Sequence, residues 1–135
     1  MSTIKTNTLT GTTSAGSILV TGEGGSTTTN LQQGLAKAWG NINGVTTTVL
    51  NDNFNHSSIT DVNTGRTTMT FTNNMSSANY SVTTGCGLNG DSVFGGDLGA
   101  SSLVLTASHR IQCRDEGGTF TDPDIATSQV TGDLA

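Results

Sequence analysis

Apolar residues along this chain stand mostly alone, separated by threonine, serine, glycine and asparagine. Where their spacing is regular it is close to two, the period of a strand with one buried face. RTTMTF (66–71) puts Met69 and Phe71 on one face. VTTTVL (45–50), YSVTT (80–84), SSLVLTAS (101–108) and HRIQCRD (109–115) are further strand candidates. FNHSSIT (54–60) carries Phe54 and Ile59 at opposite parity, which predicts a bulge or bend between them. NDN (51–53) reads as a turn, and DVNTG (61–65) as a hairpin turn with Gly65 at positive φ. GCGLNGDSVFGGDLGA (85–100) reads as a long glycine-rich loop with an edge strand at SVF, and 117–135 as a polar tail. Short strands with frequent turn signals predict an all-β fold, a small antiparallel β-sandwich of jelly-roll-like form over 35–116.

Residues 1–34 differ. TIKTNTL (3–9) alternates weakly and SILV (17–20) is a short apolar run, with turn-forming residues between and after them. Two short strands without a core do not stand alone in water. This stretch is therefore expected to be an extended β arm that docks on the rest of the chain, a sister subunit or a larger scaffold. NLQQGLAKAW (30–39) fits two patterns. Leu31, Leu35, Ala38 and Trp39 make a helical stripe with Asn30 as N-cap, whereas LAKAW also alternates as a strand. Gly34 weakens the helix, and the β-like surroundings favour the strand.

Composition sharpens the picture. Threonine (26), glycine (18), serine (14) and asparagine (12) together make up about half of the 135 residues. Threonine suits a pleated, half-exposed surface, while glycine and asparagine supply turns. Only 32% of residues are hydrophobic. The expected core is Trp39, Val49, Phe54, Ile59, Met69, Phe71, Tyr80, Val82, Phe94, Leu103, Leu105 and Ile111. That is thin for a lone β domain, and subunit contacts are a recognised supplement. The net charge is −5, and the five basic residues are scattered, so no basic stripe for nucleic acid exists. No stretch has the length and apolarity of a transmembrane helix. The first twenty residues lack a signal-peptide pattern, so Cys86 and Cys113 are expected as free thiols, with a disulfide as the alternative.

Candidate chemistry is sparse. GCGLNG (85–90) matches G-x-G-x-x-G, but no helix pattern follows it, so a glycine-rich surface loop is expected. His56 and His109 read as strand residues, and neither a G-x-S-x-G elbow nor an H-E-x-x-H helix is present. Asp115, Glu116, Asp122 and Asp124 read as a solvated acidic loop, with a hard-cation site as the alternative. No catalytic, cofactor-binding or metal-binding residue is assigned.

One family pattern is present. AKAW (36–39), NING (41–44), Phe54 and Asn55, SSITD (57–61), NTG (63–65), Phe71, Met75 and ANY (78–80) occur in order and at the right spacing. The stretch 35–83 thereby resembles a domain recurrent in tail-fibre and other structural proteins of tailed bacteriophages, especially marine ones. STIKTNTL near the N-terminus looks like the short β segments that fix such domains to a virion. His56 stands where the pattern has an apolar residue, Gly40 where a larger one is common, and the chain after Thr84 departs from it. The resemblance implies a non-enzymatic virion protein assembled in the host cytoplasm. It would be a homotrimeric capsid-decorating protein or short head or tail fibre, held to capsid or tail proteins by its N-terminal arm. Interface residues would be Ile4, Leu9, Ile18, Val20, Leu35 and Trp39, the last anchoring the junction of arm and sandwich. The alternative is a receptor-binding module for host-surface glycans, with Phe94 and Phe120 as the aromatic loop contacts.

Overall fold

The computed structural model describes residues 3–13, 18–22, 24–45, 47–88 and 103–135, and the backbone alone of 93–97. Its internal contacts divide the chain into Met1–Leu35 and Ala36–Ala135.

In the first unit, residues 3–13 run without regular secondary structure. Strand β1 (Leu19–Thr21) pairs antiparallel with β2 (Thr28–Asn30), closed by Gly22 N–H donating to Thr27 O at 2.8 Å. The ambiguous 30–39 segment is partitioned between its two patterns. A single helical turn, α1 (Leu31–Gly34), is capped by Asn30, whose Oδ1 accepts from the amides of Gln32 at 2.9 Å and Gln33 at 3.3 Å. Ala36 then begins a strand. No described side chain of this unit is buried.

The second unit is all-β, with nine strands among its described residues, arranged in two antiparallel sheets. One sheet has the order β4 (Val49–Phe54), β3 (Ala36–Asn43), β11 (Ile125–Thr131), β7 (Ser81–Gly87). The other has the order β5 (His56–Asn63), β6 (Arg66–Phe71), β10 (Ser108–Asp115), β8 (Val93–Asp97), with β9 (Val104–Leu105) also on β10. The inner faces meet in two apolar clusters. Ile42, Met69, Ile111, Cys113 and Ala126 form one; Ala38, Phe71, Met75 and Val130 form the other.

Alternation accounts for most of these strands. Met69 and Phe71 point inward from β6 as the spacing predicts, and Gly65 makes the β5–β6 turn at φ 65°. A Cβ on Gly65 would lie 2.5 Å from Cys113 O and 2.7 Å from Thr121 N, so no other residue fits. The bend expected between Phe54 and Ile59 is Asn55, at φ 60°, together with a register shift between His56 and Ser58. Asn55 Nδ2 donates to the carbonyls of Lys37 (3.0 Å) and Asn73 (3.1 Å), and its Oδ1 accepts from Asn73 N (2.7 Å). That side chain fixes the point where the chain leaves one sheet for the other.

Four expectations are corrected. Residues 51–53 are not a turn but part of β4. Residues 117–135 are not a polar tail: β11 is an inner strand, flanked by β3 and β7, with Ala126, Ser128 and Val130 buried. Cys86 and Cys113 are not free thiols but a disulfide, which ties β7 of one sheet to β10 of the other. Trp39, Val49, Phe54 and Leu105 are not core residues but exposed. Their inward places are taken partly by small neighbours. A Cβ on Gly40 would collide with Met69 Cε from the facing sheet, so the glycine next to Trp39 admits the methionine.

Candidate functional site

Register places the exposed aromatics side by side. Trp39 on β3 is 38% exposed and pairs with Phe54 on β4, 52% exposed. Across β3 the same row continues through Gln129 on β11 to Thr83 on β7. The next row is Asp52, Asn41, Thr127 and Gly85. Alternation along each strand turns all of these to the outer face, because Ala38, Gly40 and Ile42 on β3 and Ala126, Ser128 and Val130 on β11 face the core. Between Trp39 and Gly85 lies a depression of about 370 Å³, lined by Trp39, Gly40, Asn41, Thr83, Thr84, Gly85, Thr127, Ser128 and Gln129. A second hollow of about 240 Å³, lined by Gly85, Cys86, Gly87, Ile125 and Thr127, adjoins it. Gly85 and Gly87 carry no side chain, which leaves room above β7. Asn51 Nδ2 donates to Asn41 Oδ1 at 3.0 Å and so orients the Asn41 amide. Asn51 is the extra residue of a register shift in β4.

The other sequence-assigned residues lie elsewhere. Ile4, Leu9, Val20 and Leu35 are exposed in the first unit and Ile18 is half-buried there, whereas Trp39 belongs to the second unit. Phe94 lies in β8, and its side chain falls outside the described residues. Phe120 is half-buried rather than a free loop tip: the Arg66 and Arg114 guanidinium carbons lie 3.7 and 3.9 Å from its ring centroid. Such cation–π stacking uses the ring within the protein. Residues 85–87 of the glycine-rich motif belong to β7.

The two histidines are interior. His109 is fully buried, and neither ring nitrogen has a hydrogen-bond partner among the described residues. Its ring centroid lies 5.3 Å from that of Phe71 and 5.5 Å from that of His56. His56 donates through Nδ1 to the Trp39 carbonyl at 3.1 Å and stacks on Phe71. Burial pushes the His109 imidazole down to about 3, and repulsion from a protonated His56 acts in the same direction. Burial also lowers His56, against its hydrogen bond to Trp39, which raises it. Tyr80, edge-on to Phe71, shares its hydroxyl proton between the carbonyls of Leu105 (2.9 Å) and Ser108 (3.0 Å); burial holds its pKa up at about 12. All three rings pack in the interior, and among the described residues no carboxylate is hydrogen-bonded to either imidazole.

Two carboxylates of the acidic segment, Asp115 and Asp122, hold backbone amides. Asp115 Oδ1 accepts from Thr119 N at 2.8 Å, and Asp122 Oδ1 accepts from Gly65 N at 2.6 Å. Among the described residues no three histidine, cysteine or acidic side chains are placed to share a metal ion, and no helix is long and apolar enough to cross a membrane. No protein-family model, curated protein or solved structure matches this chain.

Proposed function

We propose that this chain is a non-enzymatic structural protein of a tailed-bacteriophage virion: a homotrimeric capsid-decorating protein or short fibre, attached through its N-terminal arm. The observation that carries the reading is the contrast between its two units. Ala36–Ala135 has its own core and an inter-sheet disulfide. Met1–Leu35 has no cysteine and, among its described residues, no buried side chain, and it leaves Ile4, Leu9, Leu19, Val20 and Leu35 in water. A two-stranded ribbon with a few exposed aliphatic residues is marginal by itself, so it gains most by pairing with another surface. The ordered motif over 35–83 supplies the class of particle.

The sandwich has a core of its own, so the need for partners falls on the arm. Main-chain pairing and burial of the arm's aliphatic side chains hold the copy in place, and the sandwich is displayed. In a reducing host cytoplasm Cys86 and Cys113 remain thiols, and they pair once the particle meets an oxidising medium. The test is removal of residues 1–34. The truncated chain should fold and yet fail to co-sediment with particles that lack the full-length protein. Co-sedimentation at the full-length level would overturn the proposal.

A further inference from the structure

We propose that the interior of the sandwich holds a site for one soft monovalent cation, of the Cu(I) and Ag(I) class, between the imidazoles of His56 and His109 with the Met69 thioether beside them. This goes beyond the assembly role and does not rest on it. His109 is fully buried and His56 is 6% exposed. Yet His56 Nε2 and both ring nitrogens of His109 have no hydrogen-bond partner among the described residues. Three orphaned polar atoms in one compartment are costly unless something satisfies them. His56 also stands where the resembled pattern has an apolar residue, so the pair of rings belongs to this chain rather than to that pattern.

The two rings are close enough to share an ion. Their centroids lie 5.5 Å apart, with the planes tilted by 57°. Two imidazoles on one ion, each with a nitrogen about 2 Å from it, bring their centroids to about 6 Å when opposed and closer when bent. His56 Nδ1 donates to the Trp39 carbonyl at 3.1 Å, which fixes the tautomer and leaves Nε2 with the lone pair that a metal takes. Met69 on β6 is the register partner of His109. A Cβ on Gly40 would collide with Met69 Cε and lie 3.5 Å from His56 Nδ1, so the thioether side chain and the His56 ring meet under β3. Ser128 Oγ donates to Met69 Sδ at 3.3 Å and holds that side chain from β11. The donor set selects the ion. All three donors are neutral, and among the described residues no group of three histidine, cysteine or acidic side chains is placed to hold a metal. A dication is costly in such an interior without an anionic ligand, and Zn²⁺ takes four ligands. Imidazole nitrogen with thioether sulfur at low coordination suits a soft monovalent ion.

The probe is silver nitrate. Ag(I) shares the charge and softness of Cu(I) and needs no reductant, so the Cys86–Cys113 disulfide stays intact. Tag-free full-length protein is titrated in chloride-free buffer while nitrogen NMR follows the imidazoles of its two histidines. One equivalent should move His56 Nε2 and one nitrogen of His109 together, while His56 Nδ1 keeps its proton. The melting temperature should rise with Ag(I) concentration, as linkage requires of a ligand held only by the folded chain. Zn²⁺ at the same concentration should move neither ring. His109→Phe, which keeps an aromatic ring beside Phe71, should weaken Ag(I) binding by roughly a hundredfold or more, the loss of one of two nitrogen ligands. Met69→Leu, a swap that conserves volume, should weaken it several-fold with the fold retained. If His109→Phe does not fold, the ring signals of the wild type decide the matter alone. Ring nitrogens that stay in place under excess Ag(I) would overturn the proposal, as would affinity that survives His109→Phe in a folded protein. Movement with Zn²⁺ but not with Ag(I) would overturn the choice of a soft monovalent ion. A long-lived water bound to the ring nitrogens and undisturbed by Ag(I) would overturn it in favour of a buried solvent bridge.

Discussion

Acidification should destabilise this protein chiefly through one buried side chain, His109. His109 has no exposed surface, no hydrogen bond from either ring nitrogen among the described residues, and a second imidazole nearby. Its folded pKa lies at about 3, against 6.5 for the free imidazole. Above pH 6.5 the ring is neutral in both folded and unfolded chains, and its full contribution to stability is present. Below 6.5 the unfolded chain takes up a proton that the folded one refuses. Stability then falls by about 1.4 kcal/mol per pH unit until the pH approaches 3. At pH 5 the loss from His109 alone is about 2 kcal/mol, a large part of the 5–15 kcal/mol typical of a domain. His56, also lowered, adds in the same sense. Urea unfolding at pH 7.5 and 5 measures the sum, and His109→Phe isolates the one ring, because phenylalanine keeps an aromatic ring beside Phe71 and does not titrate, so that any packing cost is the same at both pH values. The wild type should lose about 2 kcal/mol more than His109→Phe between the two pH values. Equal losses would refute burial as the cause and would mean that His109 reaches water or a partner in solution.

Three further outcomes follow from the fold. Reduction of the Cys86–Cys113 disulfide, which closes a loop of 27 residues' separation, should cost about 3.5 kcal/mol in denaturant unfolding on the chain-entropy account; an unchanged midpoint would place the bond outside the folding unit. Asn55→Ala should cost about 2–4 kcal/mol through lost hydrogen bonds and a strained backbone, and Asn55→Gly about 1 kcal/mol less, since glycine accepts φ 60°; equal costs would remove strain from the account. Gly40→Leu should destabilise by about 1–3 kcal/mol or more, because the new side chain must displace Met69; melting at the wild-type temperature would show that the two sheets are not so close there.

The parts of the fold that were legible in the sequence are those where size and polarity alternate together. In β6, Met69 and Phe71 alternate with threonines, and the turn before it carries the glycine its geometry demands. In β11 the buried residues are Ala126, Ser128 and Val130, and the outward ones include Ile125. There the alternation is one of size and place rather than of polarity, so the strand reads as a polar tail. The same inversion hides the candidate site. On β3 the small residues Ala38 and Gly40 face the core and Trp39 faces out, so an expectation that puts the bulkiest side chain inside is reversed. Phe54 could be placed beside Trp39 only with β4 recognised, and NDN disguises that strand as a turn. Gln129 and Thr83 join the row through the order β3-β11-β7, which connects distant parts of the chain and leaves no local signal. The Cys86–Cys113 pairing is likewise a consequence of how the two sheets face each other.

Sedimentation equilibrium of the full chain beside a chain lacking residues 1–34 tests the division of labour between arm and sandwich most directly. The account predicts a full-length mass about three times the 13.8 kDa of one chain, and a truncated protein that is folded and single. A full-length protein that stays single at micromolar concentration, or a truncated one that still forms trimers, would contradict it.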